Sequence, residues 1–373
     1  MVVTERDPRR RVVVLAKRHY TNKDALRERY GRVYELPHHW MSLGAAPRLE
    51  LLDYYGRAPE HDDGAPFPLA STPTRSPRAL AVLYARLRTY SPEIVVASGD
   101  CFVGLLAWRV SRSLSARFVF DIYDDYRHFG AYRLFLGWDA YGFLARRADR
   151  LFYASQALRL ADNFTTPATS VPNGVDPEQF RPWERDAARS HCGLTDDGAF
   201  LIGYFGSLDA ARGIDDLLAA AALLRTAGIP LRLLVCGPAR RGLSLDLPWV
   251  DFRGPVSHHE IPAFVNACDI VALPYRQSHL LDMSSSCKIA EYLLCERPVV
   301  ATQTPNLVSN FPRQARELGT ALCRPNDPAD LARAIRWQLA ARHVVSRPEE
   351  HTWAQIAQRA WKDMVTPIES ART

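Results

Sequence analysis

Ser284-Ser285-Ser286-Cys287-Lys288-Ile289-Ala290-Glu291-Tyr292-Leu293-Leu294-Cys295-Glu296-Arg297-Pro298-Val299-Val300-Ala301-Thr302 is a run of small residues that opens a helix and closes in an apolar strand. A helix start of this kind leaves backbone N–H groups unpaired, with the positive end of the helix dipole behind them, and so suits a phosphate or diphosphate. Lys288 adds a point charge there. Glu291, one turn further on the same face, is placed to accept paired hydrogen bonds from a diol. The competing reading is an i, i+3 ion pair on a solvated helix.

Four further stretches weigh against that plain reading. Val171-Pro172-Asn173-Gly174-Val175-Asp176 with Phe180 comes first, followed by Ile202-Gly203-Tyr204-Phe205-Gly206-Ser207 with Arg212-Gly213-Ile214. Leu231 to Pro238 comes next, and Val250 to Val256 runs on to Ala267 through Tyr275. In order and spacing they resemble the second domain of GT-B glycosyltransferases, in particular the family-four (glycosyl transferases group 1) enzymes of bacterial polysaccharide assembly. The donor helix of that family reads roughly S-x-P-x-K-x-x-E-Y-x-A-x-G-x-P-V-V-A. The likeness spans residues 171 to about 340.

The resemblance implies an α/β protein of two Rossmann-like, doubly wound parallel-sheet domains facing a cleft. It implies an acceptor domain over 1–168, a nucleotide-sugar domain over 169–348, and a final helix within 349–373 that crosses back to the first domain. A metal-independent hexosyltransferase is implied, moving a sugar from a UDP- or GDP-sugar to a hydroxyl of a saccharide, lipid-linked or small-molecule acceptor, with retention. No cofactor beyond the nucleotide sugar is expected.

By the same resemblance the donor residues are Gly206, Ser207, Arg212, Asp282, Ser284, Ser285, Ser286, Lys288 and Glu291. The chain departs from the pattern in two places. Ser207 stands where the family commonly has Arg, and the first Glu of its E-x7-E motif falls on Met283, with Asp282 beside it. Either Asp282 substitutes for that Glu, or Ser284 to Ser286 contact sugar hydroxyls through backbone and side chains. In the first domain, Asp121-Ile122-Tyr123-Asp124-Asp125 stands at a strand end where many relatives carry His-Asp, so Asp124 and Asp125 are the candidate acceptor-orienting or proton-accepting groups. Strand-end capping by these aspartates is the alternative. Lys17 to Asn22 replaces the usual Gly-Gly loop. His258 and His259 read as residues of a helix start or loop.

At 373 residues with 47% hydrophobic content, the chain is long enough for two cores. Residues 1–165 hold 25 Lys/Arg against 18 Asp/Glu and residues 166–373 hold 22 against 23, so the net charge of +6 belongs to the first half. A basic first half suits peripheral contact with an anionic membrane surface or a phosphorylated acceptor. A nucleic-acid role is disfavoured, since no basic-aromatic or helix-turn-helix pattern is present. Seven scattered cysteines without C-x-x-C point to reduced core thiols and a cytoplasmic protein, at most at the inner face of a membrane.

Apolar strands alternating with amphipathic helices run through both halves. In the first half, strands are expected near 12–16, 94–97, 118–122 and 151–154, and helices near 23–30, 77–90, 102–114 and 132–147. In the second half, strands are expected near 201–206, 232–236, 269–273, 298–301 and 320–323, and helices near 213–227, 258–268, 286–295 and 328–341. The Pro-rich segment from Gly56 to Pro77 reads as a surface loop, suited to closing over an acceptor. Two other functions fit the fold: a non-catalytic nucleotide-sugar-binding partner protein, and an NDP-sugar epimerase.

Overall fold

The computed structural model describes residues 9–20, 23–128 and 137–366. Part of the Lys17–Asn22 segment and the first residues of the helix expected over 132–147 lie outside that set. The chain divides into two compact units, Met1–Gly174 with Trp353–Thr373, and Val175–Thr352.

The second unit is a six-stranded parallel sheet in the order Val250–Phe252, Leu231–Cys236, Phe200–Phe205, Ile270–Leu273, Val299–Thr302, Leu322–Cys323. The strands Phe200–Phe205, Leu231–Cys236, Ile270–Leu273 and Val299–Thr302 are almost wholly buried, as their mostly apolar composition demands, with Arg232 half-buried. From Phe200–Phe205 the chain steps outward twice and then returns to the other flank at Ile270–Leu273. The order therefore reverses between those two strands, and ligands of such sheets bind outside the carboxyl ends at that point. Gly206 and Pro274 are the residues that leave the two strands there. The helices Ile214–Thr226 and Pro328–Ala341 pack on each other, as do Arg185–His191 and Ile261–Ala267.

The first unit holds an eight-stranded sheet in the order Ala168–Ser170, Arg150–Tyr153, Arg117–Ile122, Ile94–Ser98, Arg10–Lys17, Ala45–Asp53, Leu69–Pro73, Glu60–Asp62, parallel except for the last strand. Its order reverses between Arg10–Lys17 and Ile94–Ser98. The 56–77 segment is therefore not a simple surface loop. It contributes two strands, and Ser71 and Thr72 are buried. The helix expected over 23–30 shrinks to Ala25–Glu28, because Lys23–Asp24 pairs with His19–Tyr20 and Arg29 ends the turn at φ 46°. The strand Ala168–Ser170 belongs to this sheet, which places the division between units at Gly174 and Val175.

The helix Trp353–Val365 completes the first unit. Ile356, Ala357, Ala360 and Met364 join its core, and the Trp40 indole donates to the Ala357 carbonyl at 3.2 Å. Among the described residues, no helix is long and apolar enough to cross a membrane.

Candidate functional site

At the reversal point of the second unit, Gly206 adopts φ +150°. A Cβ there would lie 2.3 Å from Lys288 Cε, so the lysine side chain lies directly across the strand end and needs the glycine beneath it. Among the described residues, the Lys288 ammonium has no hydrogen-bond or ion-pair partner. Burial works to lower its pKa, but Tyr275, Cys287 and the Glu291 carboxylate outweigh that and hold it above the ordinary value. The helix Cys287–Leu294 starts without a side-chain cap. Its N-cap residue, Ser286, instead pairs its hydroxyl with the Tyr275 hydroxyl at 3.0 Å.

The serine run is clamped from behind. Fully buried Asn306 accepts from the Ser286 N–H at 3.3 Å and donates to Ser284 Oγ and to the Leu281 carbonyl, both at 3.0 Å. Asn310 donates to the Ser284 carbonyl at 3.2 Å, and Ser284 Oγ donates to Leu281. Ser285 is buried. The hydroxyls of Ser284 and Ser286 thus help to shape the turn.

Glu291 is 4% exposed. Burial alone would raise its carboxyl, yet His258, whose Nε2 lies 2.9 Å from Oε1, together with the Lys288 charge and Cys287, holds it below the ordinary range. His258 is itself fixed. Gln179 donates to its carbonyl at 3.1 Å, and Phe180 packs against its ring at 5.3 Å between centroids. His258 does sit in the turn before Ile261–Ala267, but its side chain belongs to the site. Its 33-residue separation from Glu291 leaves no local signal, and only the 179–180 segment, which both braces it and resembles the family, hinted at it.

The other expected donor residues divide. Arg212 is at the reversal point, but its guanidinium is paired with Asp209, which also accepts from the Arg212 N–H at 2.9 Å. Ser207 stands beside Gly206, and its carbonyl accepts from Tyr204 at 3.0 Å. Asp282 ends the short helix His279–Asp282, 7% exposed, with Oδ1 unpartnered and its carboxyl raised by burial.

In the first unit, Asp124 and Asp125 follow the strand Arg117–Ile122 and behave differently. Asp125 is paired with Arg127 at 2.7 and 3.1 Å and lies 3.4 Å from His128. It is a structural anchor and not an available base. Asp124 keeps one buried oxygen unpartnered, and burial, with Asp125 adjacent, pushes its carboxyl up to about 6. Arg32, 1% exposed, grips Asp121 through two bonds of 2.6 and 3.0 Å and donates to Asn173 at 3.0 Å. Arg18 joins Asp24, Asp53 and Glu60.

Comparison with known proteins agrees with this geometry. Residues 199–341 match the family described as Glycosyl transferases group 1. A D-inositol 3-phosphate glycosyltransferase of Stackebrandtia nassauensis is 32% identical over 216 residues, 51% of this chain and 46% of that protein. The chain thus matches about half the length of such curated relatives. Sucrose-phosphate synthase from Thermosynechococcus elongatus superposes with a TM-score of 0.67 at 17% identity, covering 95% of this chain and 94% of that one. HepE of Anabaena, solved with UDP and with UDP-glucose, gives TM-scores of 0.64 and 0.61 at 18% identity, covering 95% of this chain and 95% and 94% of HepE. The chain has the GT-B fold. The family match lies within its second unit.

Proposed function

We propose that the protein is a glycosyltransferase that takes a sugar from a nucleotide diphosphate sugar held by the second unit and passes it to a hydroxyl of a saccharide, lipid-linked or small-molecule acceptor. The observation that carries this reading is the unpartnered Lys288 ammonium lying across Gly206 beside an uncapped helix start, with ionised Glu291 one turn further on. The diphosphate sits against Lys288 and the first-turn N–H groups, and the ribose diol binds Glu291. Those donors stabilise the charge that grows on the departing diphosphate as the bond from the anomeric carbon breaks, without need of a metal. The acceptor oxygen forms the new bond on the same face and gives its proton to the leaving phosphate, with Asp124 orienting the acceptor.

The donors that relatives of this fold bind make UDP-glucose the first candidate. Calorimetric titration with UDP-glucose and GDP-mannose tests the reading. Lys288→Ala and Glu291→Ala are each expected to weaken donor binding about tenfold to a hundredfold, the loss of a charged hydrogen bond. Undiminished binding in both variants, or no binding of any nucleotide sugar by the parent, overturns it. The anomeric configuration of the product, read by NMR, decides retention. Isomerisation of the sugar without acceptor points to the epimerase instead.

A further inference from the structure

A cavity of about 720 Å³ opens at the far end of the first unit's sheet, where the strand Arg117–Ile122 begins and the helices Cys101–Leu114 and Ala140–Arg147 end. Asp121 to Asp125 stand at the opposite end of that strand, roughly 15–20 Å away at about 3.3 Å per residue. The cavity is thus no part of the strand-end chemistry described above. Its size falls within the range of small-ligand pockets.

Four arginines, Arg112, Arg117, Arg146 and Arg147, line it against one carboxylate, Asp149. That carboxylate accepts from the Phe118 N–H at 2.8 Å and offsets part of the charge of Arg117, and Arg146 pairs with Asp139 at 3.5 Å. Among the described residues, no carboxylate pairs with Arg112 or Arg147, and Arg147 rests over the Phe143 ring at 5.6 Å. Arg117 is tied to the carbonyls of Met364 and Thr366 rather than to an acid. Its pKa is lowered by burial and, with Asp149 opposing, by the further cations Arg10 and Arg150. Like charges gathered in a concavity repel one another, and an anion with several oxygens relieves that repulsion through guanidinium forks. Trp108 supplies a flat apolar wall.

We infer that this cavity is a second anion site, distinct from the donor site, for a phosphate-bearing ligand of more than one negative charge. The protein carrying Lys288→Ala, which weakens the donor site, is titrated with inorganic pyrophosphate by calorimetry. The same titration is run on that protein with Arg112→Gln and Arg147→Gln added. Pyrophosphate is expected to bind the first and to bind the second about tenfold or more weakly, as befits two lost charged contacts. In the wild-type background, the two exposed arginine substitutions leave UDP-glucose affinity unchanged, which shows the fold intact.

A sedimentation arm with phosphatidylcholine vesicles, with and without phosphatidylglycerol, separates the two sources of the phosphate. Arginine-dependent capture by the anionic vesicles assigns a lipid headgroup, and pyrophosphate binding without capture assigns a soluble ligand. If neither probe binds, or if both bind equally well to the arginine variant, the inference falls and the arginines serve only to complement the helix C-termini.

Discussion

The two sheets reverse their strand order in the same way, yet the charged groups at their strand ends are matched differently. In the first unit the cations are consumed: Arg32 by Asp121, and Arg18 by Asp24, Asp53 and Glu60, leaving one buried oxygen of Asp124 unmatched. In the second unit Arg212 is consumed by Asp209 and Glu291 is held by His258, leaving, among the described residues, the Lys288 ammonium without a hydrogen-bond or ion-pair partner and one buried oxygen of Asp282 unpartnered. Burial without a partner is costly for the Asp124 carboxylate, whereas the Lys288 ammonium is favoured by Tyr275, Cys287 and the Glu291 carboxylate around it. A carboxylate suits hydroxyls, and an ammonium suits a diphosphate.

The contrast breaks most visibly at Arg32. Arg32→Met strands the Asp121 carboxylate, 1% exposed, and is expected to destabilise the protein by about 3–5 kcal/mol, read as a fall in the denaturant midpoint. Asp124→Asn has the opposite sign. A carboxyl raised to about 6 favours the folded state below its unfolded pKa, and that benefit is lost as pH rises through the folded value. The charge Asp124 carries at about pH 7.5 therefore opposes folding by up to about 3 kcal/mol. Asp124→Asn should raise Tm at that pH and leave it nearly unchanged at about pH 4, where the native carboxyl is already neutral. A Tm that rises equally at both would dissolve the contrast. The smallest expected effect is from Lys288→Met without ligand, about 1 kcal/mol or less, since no hydrogen bond is broken and the volumes are similar. A loss as large as that of Arg32→Met would show Lys288 to be a structural cation.

The second unit was largely legible because its strands are mostly apolar runs and its site is contiguous: 284 to 302 sets the cation, the carboxylate and the strand that follows. The first unit was harder. The strand Ala45–Asp53 was missed because Pro47, Arg48 and Glu50 interrupt its apolar pattern. Glu50 is fully buried only because Arg48 and Arg86, 36 residues away for the latter, neutralise it. Pro47 is tolerated because pairing with Leu69–Pro73 begins only at Leu49. Partners that residue type alone does not announce also explain Asp125 and Arg212, held by their near neighbours Arg127 and Asp209, and His258, which meets Glu291 across 33 residues. Residue type and spacing identify an ionisable group, but its partner decides whether it is available.

The return of Trp353–Val365 to Trp40 has a consequence for biosynthesis. The segment that finishes the earlier unit leaves the ribosome about 180 residues after Gly174, roughly ten to forty seconds at ordinary elongation rates. Val175–Thr352 is contiguous, so the half translated second is the half whose own sequence is complete first. Until the last helix emerges, the apolar seat around Trp40 stays open to solvent, a natural point of engagement for a nascent-chain chaperone.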